Sequence, residues 1–193
     1  MGKSVEFFFD FGSPAAYLAS TQIEAVAGEA EVIWRPMLLG GVFKATGNAS
    51  PVMIPAKGKW LMDDLSRWAA RYGVPLTLPP GFPINTLYLM RGACALQGTA
   101  DFQPYVRAVY HAIFGEGRDM SDPATIGEVL TAAGLDARAI IASTQDDAVK
   151  DKLKATTEEA VKRGAFGAPT MFVDGQMFFG QDRLEFVREA LAT

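Results

Sequence analysis

Two short stretches of almost unbroken hydrophobic residues stand near the start of the chain, a pattern typical of strands that are covered on both faces. The first covers residues 5–11 and the second covers residues 31–36. Between them, residues 14–27 are rich in helix formers and are followed by Gly28, a common helix terminator. Strand, helix and strand within about 30 residues is the size of one βαβ unit. We therefore predict such a unit at this end of the chain.

The middle of the chain has the periodicity of helices. From about residue 37 the sequence forms an irregular connection rich in glycine and proline, and helical spacing then continues for about a hundred residues. The clearest helix ends at Gly73 and places on one face the apolar residues Leu61, Leu65, Trp68, Ala69 and Tyr72. Further helices are predicted over residues 85–97, 101–114, 123–133 and 146–163. These segments predict an inserted helical layer.

Strand patterns return near the carboxyl end of the chain. Residues 170–173 and 176–179 flank Asp174-Gly175, a dipeptide typical of two-residue β-hairpin turns. A closing helix is predicted over residues 182–191.

The resulting order, βαβ, helical insert, ββα, predicts an α/β fold made of two units. Residues 1–40 and 165–193 are expected to form one discontinuous domain around the sheet. Residues 41–164 are expected to form an all-α domain inserted into it.

Composition narrows the classes of function. Lys and Arg number 18 against 22 Asp and Glu, a net charge of −4 with no basic run, which argues against a nucleic-acid-binding protein. A single cysteine, Cys94, rules out an intramolecular disulfide, and the single histidine, His111, leaves too few ligands for a zinc site. No apolar run approaches the roughly 20 residues that span a bilayer. We expect a cytoplasmic protein without a metal or a membrane anchor, whose partners are small molecules or a second copy of itself.

The junction between the first strand and the first helix is the first candidate for chemistry. It reads Phe-Asp-Phe-Gly-Ser-Pro (residues 9–14), which puts Ser13 at the N-cap and Pro14 at the first helical position. Helix capping is the simpler interpretation of Ser13. In the alternative, its hydroxyl donates a hydrogen bond to a bound thiolate, whose pKa the helix amides and dipole would lower. A conventional serine nucleophile is not expected, because the single histidine lies in an unrelated helical segment.

A second candidate is the proline that opens the third predicted strand. Pro169 is acceptable there without any function, because the first position of a strand needs no N–H donor. Alternatively, a cis Ala168–Pro169 peptide bond would leave the backbone of Ala168 free to pair with an extended peptide. Together with the Ser-Pro helix start, this segment suggests a thioredoxin-type site in which serine replaces a redox cysteine.

The start of the last helix offers a third candidate. Asp182 suits a helix cap, and Glu185 gives it the spacing of a capping box. Gln181 and Asp182 also suit the recognition of an α-amino-acid group, with the ammonium on Asp182 and the carboxylate on Gln181 and the helix amides.

Three further polar residues are weaker candidates. Lys44 and Asn48 lie in the connection rich in glycine and proline, and Asn85 precedes a predicted helix. Solvation explains an exposed lysine, and capping explains Asn85. A functional role is open because long loops often line sites and an anionic substrate needs a cation.

The two terminal motifs resemble those of 2-hydroxychromene-2-carboxylate isomerases. They are Phe-Asp-Phe-Gly-Ser-Pro (residues 9–14) and Gly-Ala-Pro-Thr-Met-Phe-Val-Asp-Gly-Gln-Met-Phe-Phe-Gly-Gln-Asp-Arg-Leu (residues 167–184). These enzymes are relatives of kappa-class glutathione transferases in the DsbA-like thioredoxin superfamily. The similarity spans essentially the whole chain, although Phe179 and Ala168 stand where tryptophan and valine are frequent in relatives.

The resemblance implies a thioredoxin-like domain that is interrupted by a helical insertion and that uses glutathione as its cofactor. Ser13 would contact the glutathione sulfur, and Ala168, before Pro169, would pair with the cysteinyl part. Gln181 and Asp182 would contact the γ-glutamyl end.

The resemblance also implies a small aromatic carboxylate substrate, which Lys44, Asn48 and Asn85 would face. The family interconverts 2-hydroxychromene-2-carboxylate and trans-o-hydroxybenzylidenepyruvate in naphthalene breakdown, with glutathione regenerated, and related proteins are commonly homodimers. Two alternatives stay open, a kappa-type glutathione transferase or peroxidase and a non-catalytic glutathione-binding module.

Overall fold

A computed structural model describes residues 2–193, which fold around a four-stranded sheet. The strands are β1 (Ser4–Phe9), β2 (Glu31–Pro36), β3 (Thr170–Val173) and β4 (Gln176–Phe179), in the order β2-β1-β3-β4. β1 pairs with β2 in parallel and with β3 in antiparallel orientation, and β3 and β4 form an antiparallel hairpin. All four predicted strands are confirmed, and β1 ends two residues earlier than predicted.

Helices make up most of the remaining described residues. They are α1 (Pro14–Ser20), α2 (Ile23–Ala27), α3 (Leu39–Thr46), α4 (Pro55–Tyr72), α5 (Leu87–Leu96), α6 (Phe102–Tyr110), α7 (Pro123–Ala132), α8 (Ala137–Ser143), α9 (Asp147–Lys162) and α10 (Leu184–Ala192). Short 3₁₀ turns cover Pro51–Met53 and Gln181–Arg183, and a π-helical turn covers His111–Gly115. None of the helices among residues 2–193 is long and apolar enough to cross a membrane.

The prediction of one helix over residues 14–27 is wrong, because these residues form two helices. α1 ends at Ser20, and α2 starts only at Ile23. The hydroxyls of Ser20 and Thr21 bond back to the carbonyls of Tyr17 and Leu18, which satisfies the carbonyls at the end of α1.

A helix replaces part of the predicted irregular connection. α3 contains Gly40 and Gly41, which lower helix propensity and hid the helix from sequence analysis. α9 packs closely against Gly41, and a Cβ at this position would lie 3.1 Å from Cγ2 of Thr157, a tight contact that the smaller glycine avoids. α3 also spans the predicted boundary at residue 41, and the division into two domains stays a prediction. α8, which the sequence analysis did not predict, is capped by Asp136.

The aromatic side chains of β1 pack on both faces of the sheet. The rings of Phe7 and Phe9 meet the Trp34 ring edge-on, at centroid distances of 5.0 and 5.5 Å. Phe8 points to the other face, where its ring lies 5.6 Å from that of Phe172. Coverage on both faces explains why the sequence of β1 is apolar almost without a break.

Removing the ring at the centre of this cluster tests the packing. Phe9 is fully buried, and its ring contacts those of Phe11, Trp34 and Tyr110. We expect Phe9→Ala to lower the free energy of unfolding by about 3–5 kcal/mol, because it removes these contacts and leaves a cavity. Phe186→Ala, at a residue that is 52% exposed, is the matched control. Urea unfolding measures both, and a loss at Phe9 no larger than that at Phe186 contradicts this description of the core.

Candidate active site

The start of α1 and the residues before β3 meet in a cleft of about 360 Å³. Its walls come from α1, α3, the connection into α4, and the turn between β4 and α10. Among the residues predicted to bind glutathione or substrate, the lining includes Ser13, Asn48, Ala168, Gln181 and Asp182. The volume lies within the range of small-molecule sites.

Ser13 caps α1 and also reaches across the cleft. The residue is only 5% exposed. Its Oγ accepts a hydrogen bond from the N–H of Ala16 at 3.1 Å and donates one to the carbonyl oxygen of Ala168 at 2.8 Å. Capping and a second contact therefore coexist in one geometry, so capping alone does not account for the position of this hydroxyl.

The backbone around Ala168 is partly unpaired. The Ala168–Pro169 peptide bond is cis, as one of the two interpretations of this proline expects. The carbonyl of Pro169 accepts from the N–H of Gly180 at 3.1 Å, which ties this segment to the end of β4. The N–H of Ala168 donates no hydrogen bond to any residue in the described part of the chain.

The first turn of α1 adds another available donor. Pro14 has no N–H, and the N–H of Ala16 is taken by Ser13. Ala15, which lines the cleft, donates no backbone hydrogen bond within residues 2–193. The positive end of the α1 dipole therefore faces the cleft through the N–H of Ala15 and the hydroxyl of Ser13.

Gln181 is a buried polar side chain without a partner. It is 7% exposed, and its side-chain amide forms no hydrogen bond with the residues that the structure describes. Its backbone carbonyl, by contrast, accepts from the hydroxyl of Tyr72 at 3.1 Å. Its amide atoms are not among the fully buried atoms that lack a partner, so they keep access to the space of the cleft. An amide with free hydrogen-bonding groups in the lining of a cleft is suited to a polar ligand.

Asp182 does not cap the last helix, so the predicted capping box is wrong. Its carboxylate forms an ion pair with Arg183 at 2.6 Å, and α10 begins only at Leu184, after a 3₁₀ turn. Gly180 has φ of 101°, and a Cβ there would lie 2.5 Å from Oδ1 of Asp182. Arg183 also lines the cleft and is the single cation among its described lining residues, although sequence analysis did not propose it as a site residue.

The structure does not bring all predicted substrate residues together. Lys44 lines a different groove, because the helical turn of α3 directs Phe43 into the cleft and Lys44 away from it. Asn85 is exposed and lies outside the cleft lining, and its Oδ1 accepts from the N–H of Leu87 at 3.0 Å, in a helix-start role. Asn48 lines the cleft, and its Nδ2 donates to the carbonyl of Phe166 at 2.8 Å.

An apolar wall completes the cleft. It is formed by the aromatic residues Phe43, Trp60, Phe82 and Phe179. Trp60 is 63% exposed, so most of its ring is available at the surface. Sequence analysis did not identify Phe43 or Phe82 as site residues, because these aromatics come from segments whose spacing along the chain carries no common signal.

Comparison with known proteins identifies the family. Residues 4–192 match the sequence profile of the family described as "DSBA-like thioredoxin domain". The 2-hydroxychromene-2-carboxylate isomerase of Sphingobium xenophagum is 36% identical over 196 residues, which cover 99% of this chain and 99% of the relative. The chain belongs to the DsbA-like thioredoxin family and, within it, to the family of these isomerases.

Two further relatives support this membership. A solved structure of a 2-hydroxychromene-2-carboxylate isomerase superposes with a TM-score of 0.89 at 30% identity and covers 98% of this chain and 94% of that chain. Human glutathione S-transferase kappa 1 is 29% identical, with 98% of this chain and 91% of the relative covered. The predicted family and the thioredoxin-like fold class are confirmed.

In this DsbA-like chain, the buried carboxyl group of Asp10 holds the segments around the site together by hydrogen bonds. It is 1% exposed, and its Oδ1 accepts from the N–H of Gly12 and the hydroxyl of Thr86, both at 2.7 Å. Its Oδ2 accepts from the N–H of Leu39 at 2.6 Å. One carboxyl group therefore joins the turn before Ser13 to the starts of α3 and α5. The signal in the sequence was a charged residue inside an apolar run, and we did not single it out.

Two pKa shifts bear on the chemistry of the site. Burial raises the pKa of Asp10 above its ordinary value, against the opposing effect of its hydrogen bonds from Thr86, Gly12 and Leu39. Burial also raises the pKa of Cys94 to about 11, so this thiol is not a reactive thiolate at neutral pH.

The raised pKa of Asp10 makes a prediction about stability. Folded Asp10 keeps its proton to a higher pH than the unfolded chain does, so the folded state binds more protons between the two pKa values. The corresponding stability is fully present below the ordinary pKa of 3.8 and is lost as the pH rises through the raised value. Relative to Asp10→Asn, which does not titrate, wild-type stability should therefore fall as the pH rises.

Urea unfolding of both proteins at a series of pH values measures this difference. Asp101→Asn is the matched control, because the Asp101 side chain makes no hydrogen bond with the described residues and is exposed. If the wild-type advantage over Asp10→Asn grows with pH, the assigned direction of the shift is wrong.

Proposed function

We propose that the chain is a glutathione-dependent isomerase that interconverts 2-hydroxychromene-2-carboxylate and trans-o-hydroxybenzylidenepyruvate. The observation that carries this proposal is the buried Ser13 hydroxyl, which stands at the start of α1 and lies 2.8 Å from the Ala168 carbonyl oxygen. Relatives that are 33–36% identical bear the name of this isomerase, which supports the reaction. The kappa-class glutathione transferases among the relatives support the cofactor. The cytoplasmic location, expected from the composition, and the homodimer, expected from the resemblance, stay predictions.

The cleft residues fit a short extended peptide that ends in an α-amino acid. An extended peptide offers alternating N–H and C=O groups, and Ala168 presents an N–H without an acceptor together with a carbonyl that has a second lone pair. The unpartnered amide of Gln181 fits the α-carboxylate. Asp182 fits the ammonium group and shares its charge with Arg183.

The hydroxyl of Ser13 has one proton, which the Ala168 carbonyl now accepts. To donate to a sulfur, this hydroxyl has to turn away from that carbonyl. The carbonyl then keeps a partner if a peptide N–H takes over the hydrogen bond. We infer that peptide binding frees the Ser13 proton for the sulfur, at no net loss of hydrogen bonds to the protein.

Bound glutathione supplies a nucleophilic thiolate, which the isomerisation regenerates. The task of this chain is to keep the sulfur charged at neutral pH and to hold the substrate against it. A decrease of about two units in a thiol pKa corresponds to about 2.7 kcal/mol, which the start of a helix and one hydroxyl can provide.

The organic substrate fits the other half of the cleft. The aromatic wall suits its ring, and Asn48 stays a candidate for its polar groups. Lys44, which the resemblance placed facing the substrate, lies on the other side of α3, so Arg183 is the cation of the cleft lining that could anchor the substrate carboxylate.

Substitution of Ser13 tests the proposed role of its hydroxyl. We expect Ser13→Ala to lower kcat/KM about 10- to 100-fold, the effect of losing one hydrogen bond to a charged group. Ser13→Gly costs a helix cap only a few tenths of a kcal/mol and should lose as much activity, which separates chemistry from capping. Ser66→Ala, at an exposed hydroxyl that bonds Met62 on α4, should keep full activity. Full activity in both Ser13 variants refutes the proposal.

Substitution of Gln181 tests the glutathione site separately. We expect Gln181→Leu to weaken glutathione binding about tenfold in calorimetry, because the ligand loses a hydrogen bond in a buried place. Stability should not fall, since the amide has no partner among the described residues to lose. Gln103→Leu on α6, outside the cleft lining, is the matched control. An unchanged affinity in Gln181→Leu, or an equal loss in the control, removes Gln181 from the site.

A kappa-type glutathione transferase is the second candidate function, favoured by relatives that are 28–30% identical over nearly the whole chain. The two activities differ in the fate of glutathione. An isomerase leaves the free thiol concentration constant while the chromene carboxylate is converted. A transferase consumes the thiol in step with a chlorodinitrobenzene electrophile, so a thiol assay during turnover distinguishes them.

A further inference from the structure

A second groove lies on the other side of α3 from the active cleft. It has a volume of about 830 Å³ and is formed by α3, α5 and α9. We propose that this groove binds an amphipathic monocarboxylate, a molecule with one carboxylate on an aromatic or short aliphatic body. The proposal is independent of the isomerase activity.

The floor of the groove suits an apolar body. Its apolar lining consists of Leu38, Ala45, Leu87, Leu153 and Val161. The volume is large enough for a small organic molecule to lie along this floor, with one side open to solvent. Gly41 adds to the depth, because it presents no side chain toward α9.

The rim of the groove suits an anion. Five cationic side chains line it, namely Lys44, Arg91, Lys150, Lys154 and Lys162, against the two carboxylates of Asp151 and Glu158. This local excess of positive charge stands in a chain whose net charge is −4. A concave surface lined by one sign of charge concentrates the field and attracts ligands of the opposite sign.

Arg91 is the most specific feature of the groove. Its Nε is buried and has no hydrogen-bond partner among residues 2–193, and its guanidinium enters no ion pair with them. The guanidinium carbon lies 5.7 Å from the centre of the Tyr88 ring. The Nε is shielded from the groove, whereas the two Nη atoms have no hydrogen-bond partner among the described residues and are not fully buried. A carboxylate in the groove would therefore bind the guanidinium through its Nη atoms. Lys44 and Lys162 likewise form no ion pair with the described residues.

The charge of the groove argues for a small anion over a second copy of the chain. In a two-fold dimer the same patch meets itself. Two copies of a groove with five cations and two carboxylates would repel each other. A monocarboxylate neutralises part of the charge and covers the apolar floor.

Titration with 1-naphthoate, followed by the backbone amide resonances of the isotope-labelled full chain, tests the proposal. We expect saturable shifts at the groove residues on α3, α5 and α9. Arg91→Gln should weaken this binding at least about tenfold, since it removes a charge-assisted hydrogen bond. Arg107→Gln, at an exposed arginine of α6 outside the groove, should leave it unchanged. The neutral 1-naphthamide should bind at least about tenfold more weakly than the acid.

A second variant keeps the test valid if Arg91→Gln does not fold. The double variant Lys154→Gln and Lys162→Gln changes two lysines of α9 at the rim and should also weaken naphthoate binding at the groove. The proposal is overturned if saturable shifts at the groove are missing, if they survive both sets of substitutions, or if the neutral amide produces them equally well. It is also overturned if sedimentation shows a dimer whose contact surface protects these same amides.

Discussion

The hydrogen bond from the Ser13 hydroxyl to the Ala168 carbonyl is the interaction on which the site depends. It joins two residues that are 155 positions apart in the sequence. The central place of β1, with β2 on one side and β3 on the other, makes this contact possible, because the end of β1 lies beside the start of the antiparallel strand β3. The contact fixes the start of α1 against the segment that leads into β3. The N–H groups of Ala15 and Ala168, which donate no backbone hydrogen bond among residues 2–193, lie on either side of this contact.

Asp10 makes this arrangement rigid by a different means. Its carboxyl oxygens accept hydrogen bonds from Gly12, Leu39 and Thr86, so the turn before Ser13, α3 and α5 share one buried anchor. Burial raises the pKa of this carboxyl group, and its three hydrogen bonds oppose that shift. The residue therefore ties three segments of the chain together at one buried point. The cleft that results presents backbone donors and one buried amide to a ligand.

Sequence predicted the sheet well and the helical walls of the cleft less well, for physical reasons. Unbroken hydrophobic runs and an Asp-Gly turn are local signals, so the bounds of β2, β3 and β4 could be predicted residue by residue. α3 was missed because Gly41 lowers helix propensity, and only the tertiary contact with α9 explains the glycine. Because this segment was predicted as a loop, the direction of the Lys44 side chain could not be predicted. In the helix α3 that direction is fixed, and it points away from the cleft. Burial of Gln181 and convergence of donors on Asp10 are long-range properties, which a single sequence does not encode in any local pattern.

The central claim is that the start of α1 and the Ser13 hydroxyl stabilise a bound thiolate. The most direct measurement is a pH titration of the ultraviolet thiolate absorbance of glutathione bound to the wild-type protein and to Ser13→Ala. The account predicts a thiol pKa about two units below that of a free thiol in the wild type, and a smaller decrease without the hydroxyl. A bound thiol that titrates as free glutathione does, with or without Ser13, would contradict it.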